Sequence, residues 1–91
     1  MKTISIIVSG KVQGVWYRQS TKAKAIDWRI TGEIKNLPDG RVLIIATGTT
    51  ELLNKFLDWC RVGPEKARVM EIKVQDMDLK QFDGFSIIRH W

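Results

Sequence analysis

The 91-residue chain contains one cysteine and one histidine. A lone thiol cannot close an internal disulfide, and a chain without a cysteine framework suits a reducing compartment, of which the cytoplasm is the simplest. The histidine, His90, has no partner at metal-ligand spacing and is read as inert, so no metal site and no cofactor are expected. No stretch approaches the roughly 18 consecutive apolar residues of a membrane span. The segment Met1–Ile6 carries one charge and no cleavage site after a long apolar run, unlike a secretory signal. Repeats, low-complexity tracts and linkers are also missing. What remains fits a single domain over residues 1–91, small enough to bury only about 60% of its unfolded surface around one modest core.

Acidic residues are scarce in the first half. Residues 1–41 hold eight Lys and Arg against three Asp and Glu, whereas residues 42–91 hold seven of each. The net charge of +5 therefore belongs to the N-terminal half. A small anionic partner would be drawn there, although charge alone fits a solvated basic face equally well.

Hydrophobic periodicity orders the rest. Ile4, Ile6 and Val8 alternate within Thr3–Ser9, a strand. Residues 18–28 read as a helix with a thin stripe of Thr21, Ala25 and Trp28. Ile30–Asn36 and Val42–Thr47 read as strands joined by Leu37-Pro38-Asp39-Gly40, a type I turn. Thr49 or Thr50 can cap a second helix, striped by Leu52, Leu53, Phe56, Leu57 and Cys60 and ended by Gly63-Pro64. Met70, Ile72 and Val74 mark a fourth strand, residues 75–83 read as polar and turn-rich, and Phe85–Arg89 as a short closing strand. The order βαββαβ with an extra C-terminal strand predicts an α+β, ferredoxin-like sandwich: an antiparallel sheet with two helices on one face.

The segment Gly10-Lys11-Val12-Gln13-Gly14-Val15-Trp16-Tyr17-Arg18 sits between the first strand and the first helix. Glycines can adopt positive φ and turn backbone N–H groups inward. A helix N-terminus adds partial positive charge, and an arginine fork suits phosphate oxygens. The loop reads as a cradle for one phosphoryl group, with Gln13, Gly14, Val15, Trp16 and Tyr17 supplying amides beside Arg18. In this topology the first two strands run parallel through the helical crossover and end at one sheet edge. Asn36, closing the second strand, should therefore converge on Arg18 and the cradle.

These residues resemble the acylphosphatases. The family pattern G-[RK]-V-Q-G-V-x-[FY]-R is matched by residues 10–18, and T-G-x-[VI]-x-N-x-x-D-G-x-V by residues 31–42. Gly48, Gly63-Pro64-Glu65-Lys66-Ala67-Arg68-Val69 and Gly84-Phe85 continue the match over nearly the whole chain. The resemblance implies metal-free hydrolysis of an acyl phosphate to carboxylate and inorganic phosphate. It also implies that Arg18 binds the phosphoryl group and Asn36 orients the attacking water. The expected partner is a small acyl phosphate, with no nucleic acid and no membrane, and the expected state is a monomer. Three positions depart from the pattern: Arg29 where glycine is common after the first helix, Glu33 where an aromatic is common, and Ile88 where arginine is usual, with Arg89 one later. None is expected to touch Arg18 or Asn36, and Arg29 suggests a helix end built differently.

Other readings of single motifs are weaker. Cys60 lies on an apolar stripe and lacks a phosphate loop after it, so a packed thiol is expected rather than a nucleophile. Asp76-Met77-Asp78-Leu79 imitates an aspartate-nucleophile motif without the large doubly wound domain that chemistry needs. The first and third strands lack the exposed aromatics of an RNA-reading sheet. Trp16 and Trp28 are read as core or site-wall residues. An anion-sensing domain without turnover would share both fold and cradle.

Overall fold

The computed structural model describes residues 1–89, so His90 lies outside the described residues. Seven elements follow in order: β1 (Lys2–Lys11), α1 (Tyr17–Asp27), β2 (Thr31–Asn36), β3 (Val42–Gly48), α2 (Thr50–Cys60), β4 (Arg68–Met77) and β5 (Phe85–Ile88). They form one five-stranded sheet in the order β4-β1-β3-β2-β5. Alternation places Ile4, Ile6 and Val8 of β1 beside Val42, Ile44 and Ala46 of β3, and the helices cover that face with Ala25, Leu53, Phe56 and Cys60. This is the α+β sandwich the periodicity predicts.

The sheet is mixed rather than wholly antiparallel. β1 pairs antiparallel with β3 and β4, and β2 antiparallel with β3, but β5 lies parallel to β2. β4 ends where β1 begins, since Met77 pairs with Thr3. The chain turns back there and crosses to the opposite edge, so β5 runs against β4 and hence along β2. The crossing is fastened by a closed hydrogen-bond cycle. The Lys80 N–H donates to Thr3 Oγ1 (2.9 Å), the Thr3 and Thr47 hydroxyls are 2.6 Å apart, and the Thr47 hydroxyl donates to the Lys80 carbonyl (2.7 Å). Both threonines are buried, and their hydroxyls are thereby satisfied.

β4 is longer than its pattern suggests, running through Met77. Gln75, Asp76 and Met77 are exposed on this sheet edge, so backbone pairing with β1 holds them, not apolar burial. Met70 is 84% exposed because the register shifts between Ser9 and Gly10, leaving it as the extra residue of a bulge. Gly10 takes φ 124° there, and a Cβ on it would collide with the Arg68 carbonyl. The bulge re-aims β1 just before the loop that leads to α1.

The two helix starts differ. Thr49 caps α2 by accepting from the Leu52 N–H (3.2 Å), and Glu51 lies in its first turn. α1 has neither a side-chain cap nor an acidic residue in its first turn. Its other end is regular: the Arg29 N–H donates to the Ile26 carbonyl (3.1 Å) and the Ile30 N–H to the Ala25 carbonyl (2.8 Å). That is a Schellman ending, with Arg29 itself at φ 55°. The helix end is thus built in the ordinary way, against the expectation drawn from Arg29, and the arginine bears the backbone strain.

Candidate active site

Residues 12–16 connect β1 to α1, one residue earlier than the predicted helix start. Gly14 (φ 74°) and Trp16 (φ 66°) are both left-handed, with Val15 between them on the other hand. Alternation of this kind turns successive amides toward a common point, a nest for an anion. Among the described residues, none accepts a hydrogen bond from the N–H of Gly14, Val15, Trp16, Tyr17 or Arg18. The donors at the uncapped start of α1 are likewise free. Positive partial charge and unpaired donors accumulate at one place, and Arg18 adds a full charge where a helix would favour an acid.

The position of Trp16 in the loop is expected from the sequence, but its left-handed backbone is not. A bulky residue at positive φ is an outlier costing of order 1–3 kcal/mol, and its indole is 69% exposed. The Tyr17 side chain packs into the core. Its ring is buried against Trp59 (centroids 5.9 Å apart), and its hydroxyl donates to the Cys60 carbonyl at 2.8 Å. Burial pushes the Tyr17 hydroxyl pKa upward and the Cys60 thiol up to about 12, so both stay protonated at neutral pH. Cys60 is fully enclosed in the core, as its place on the helical stripe predicts.

The Gln13 side chain is engaged with a neighbouring turn. Its side-chain amide donates to the carbonyls of Leu37 and Arg41, both at 2.9 Å. Those carbonyls belong to the turn between β2 and β3, where Gly40 N–H closes back onto Leu37 (3.2 Å) and Asp39 receives the Arg41 guanidinium (2.7 Å). The backbone hydrogen bond from Arg41 and the adjacent guanidinium hold the Asp39 carboxyl below its usual range. Gln13 therefore staples the cradle to the hairpin that carries Asn36, and its side chain is spent.

The topological convergence is present. Val42, the first residue of β3, is the register partner of both Val8 and Asn36. Asn36 thus lies two strand spacings, about 10 Å, across the sheet from Val8, at the edge where the cradle begins. Arg18, Asn36, Gln13, Gly14, Trp16 and Tyr17 line one cleft of about 310 Å³, with Gln19, Ile87 and Arg89 completing its wall. Val15 is absent from that lining and is buried in the core. Gln19, Ile87 and Arg89 were missed in the sequence. Only β5 pairing beside β2 brings the last two there, and Arg89, one position past the usual arginine, still reaches the cleft. The Asn36 Oδ1 is enclosed and has no hydrogen-bond partner among the described residues. A buried acceptor left so costs about 1–3 kcal/mol. Arg18 likewise makes no ion pair with any described residue.

Comparison with known proteins extends these observations. The acylphosphatase family model matches residues 4–87. An acylphosphatase of Methylococcus capsulatus is 44% identical over 90 residues, 98% of each chain. The crystal structure of an acylphosphatase from Bacillus subtilis superimposes with a TM-score of 0.94 at 35% identity, covering 97% of this chain and 99% of that one. An acylphosphatase structure from Coxiella burnetii gives 0.92 at 32% identity, over 96% and 92% of the two chains.

Proposed function

The chain belongs to the acylphosphatase family, enzymes that act on small acyl phosphates, and we propose how its residues divide the hydrolysis. Arg18 and the amides of Gly14 to Arg18 hold the phosphoryl group, and Asn36 holds the attacking water. The observation that carries this reading is Asn36, which lines the same cleft as Arg18 and lies beside a row of unpaired amides, and whose enclosed Oδ1 has no hydrogen-bond partner among the described residues.

The chemistry asks for little more. The leaving group is a carboxylate of low pKa, so no strong general acid is required. Charge on the three phosphoryl oxygens must be matched as the bond to the leaving oxygen loosens, and preorganised donors supply that. The water donates one O–H to Asn36 Oδ1 and directs a lone pair at phosphorus, opposite the carboxylate oxygen. The P–O bond to the acyl group breaks and its electron pair leaves on the carboxylate. No carboxylate or imidazole lines the cleft among the described residues, so the water's proton passes to a phosphoryl oxygen, giving inorganic phosphate. The donor set is the guanidinium and the amides, and we include metal independence in the proposal.

The test is a pair of variants assayed on benzoyl phosphate. Arg18→Ala should damage KM and kcat together and abolish competitive inhibition by inorganic phosphate. Asn36→Ala should lower kcat by about 10²–10³, the loss expected for one positioned group, while KM and phosphate inhibition stay nearly constant. Full activity in Asn36→Ala would assign the water to another group. Loss of wild-type turnover in chelator, restored by magnesium, would overturn metal independence.

A further inference from the structure

The cleft does not end beside Arg18. A second hollow of about 370 Å³ adjoins it, bounded by Gln19, Lys22, Ala23, Ile26, Ile87 and Arg89. Gln19, Ile87 and Arg89 belong to both hollows, so the two share a wall. Arg18, Lys22 and Ile26 recur every fourth residue along α1 and so lie on one helix face, and Ile26 is about 12 Å along the axis from Arg18. The core face of α1 is Tyr17, Thr21 and Ala25. Ile26 lies off it and is 58% exposed. With the exposed Ala23 and with Ile87, which also packs against the core, it makes an apolar floor, and the α1 part of that floor is not used by the core. Lys22 and Arg89 flank that floor, and neither has a salt-bridge partner among the described residues.

We propose that this second hollow is the subsite for the acyl group, and that it selects acyl phosphates whose acyl part is extended, apolar in its middle and negatively charged at its far end. The inference rests on the cradle being the phosphoryl site. With the phosphoryl group there, the acyl carbonyl leaves past Gln19 and Ile87, the chain lies over Ala23 and Ile26, and a distal anion meets Lys22 and Arg89. A short acyl group would reach none of these.

Three substrates separate the contributions: acetyl phosphate, hexanoyl phosphate and adipoyl phosphate, the last two matched in length and differing in the terminal carboxylate. We expect kcat/KM to rise in that order. Ile26→Asp should lower kcat/KM about tenfold for the two six-carbon substrates, a loss typical of a spoiled apolar contact, and leave acetyl phosphate unchanged. Lys22→Gln should lower it up to about fivefold for adipoyl phosphate only, the scale of one exposed ion pair. Equal kcat/KM for all three substrates, or variants that lower all three alike, would overturn the subsite. Failure of the folded wild-type protein to hydrolyse any of the three would instead refute the phosphoryl site, and the subsite with it.

Discussion

Tyr17 donates its hydroxyl to the carbonyl of Cys60 at 2.8 Å, bonding the first residue of α1 to the last residue of α2. The hydroxyl is used in a buried contact between the helices, whereas the proposed mechanism uses only the same residue's amide. Tyr17→Phe should therefore cost about 1–2 kcal/mol for a buried hydrogen bond with its acceptor left unpaired. That would lower Tm by about 4–16 °C for a domain of this size. Turnover of benzoyl phosphate well below the melting range should stay near wild type. A tenfold loss of kcat in a folded variant would place the hydroxyl in the reaction instead.

The same pair should weaken the fold at alkaline pH. In the folded state burial holds the proton on Cys60 up to about 12 and on Tyr17 higher than its usual value. The unfolded chain releases these protons near 8.5 and 10. Below pH about 8 both states keep them and the groups add no pH dependence. Above that the unfolded state is favoured, by up to about 1.4 kcal/mol per pH unit for each group. Urea midpoints should fall from pH 9 upward, and more steeply beyond 10. In Cys60→Ala the whole curve should drop through the lost packing, but its decline should start about a unit and a half later. An unchanged onset would assign the alkaline limb to other groups.

Arg29 ends α1 at φ 55° in a Schellman geometry that suits glycine. Arg29→Gly should relieve the Cβ strain of a left-handed residue, about 1 kcal/mol. Thermal denaturation should show a Tm about 4–8 °C higher, with kinetics unchanged. A lower Tm would mean that the arginine side chain contributes more than its backbone strain costs.

A variant of Gln13 tests the proposed division between binding and chemistry. Its amide is occupied by the Leu37 and Arg41 carbonyls at 2.9 Å, so Gln13→Leu should loosen the hairpin that aims Asn36 while leaving the cradle amides in place. We expect kcat to fall about 10- to 100-fold, the scale of a misplaced catalytic group, with inhibition by inorganic phosphate within twofold of wild type. If phosphate inhibition is lost as well, the side chain supports the cradle rather than Asn36.

Much of this was legible in the chain. The alternation of Ile4, Ile6 and Val8, the Thr49 cap and the Gly63-Pro64 stop placed the elements other than β4 close to their observed bounds. Gly14 announced the left-handed turn, and topology alone brought Asn36 to the edge that Arg18 occupies. The rest had no local signal. Trp16 adopts a conformation that bulky residues avoid, so propensity argues against it. Gln75 to Met77 lie in a strand because β1 offers a free edge, and exposed edges carry no apolar pattern. The parallel set of β5 follows from where the chain crosses, fastened by Thr3 and Thr47, not from the composition of Phe85–Ile88. Gln13 finds partners 24 and 28 positions away, beyond any periodicity.

The shared partner of Val8 and Asn36, Val42, also has a meaning in time. The cradle and Asn36 come from strands that never touch, so their relation exists only once β3 has closed against both. Such non-local pairings form slowly. A β2 strand paired one residue out of step would turn Asn36 to the opposite face of the sheet. A chain caught in that state could have both helices formed and still be silent toward substrate. During refolding, regained hydrolysis would therefore keep the clock of the sheet's final registry, and helix formation would run ahead of it.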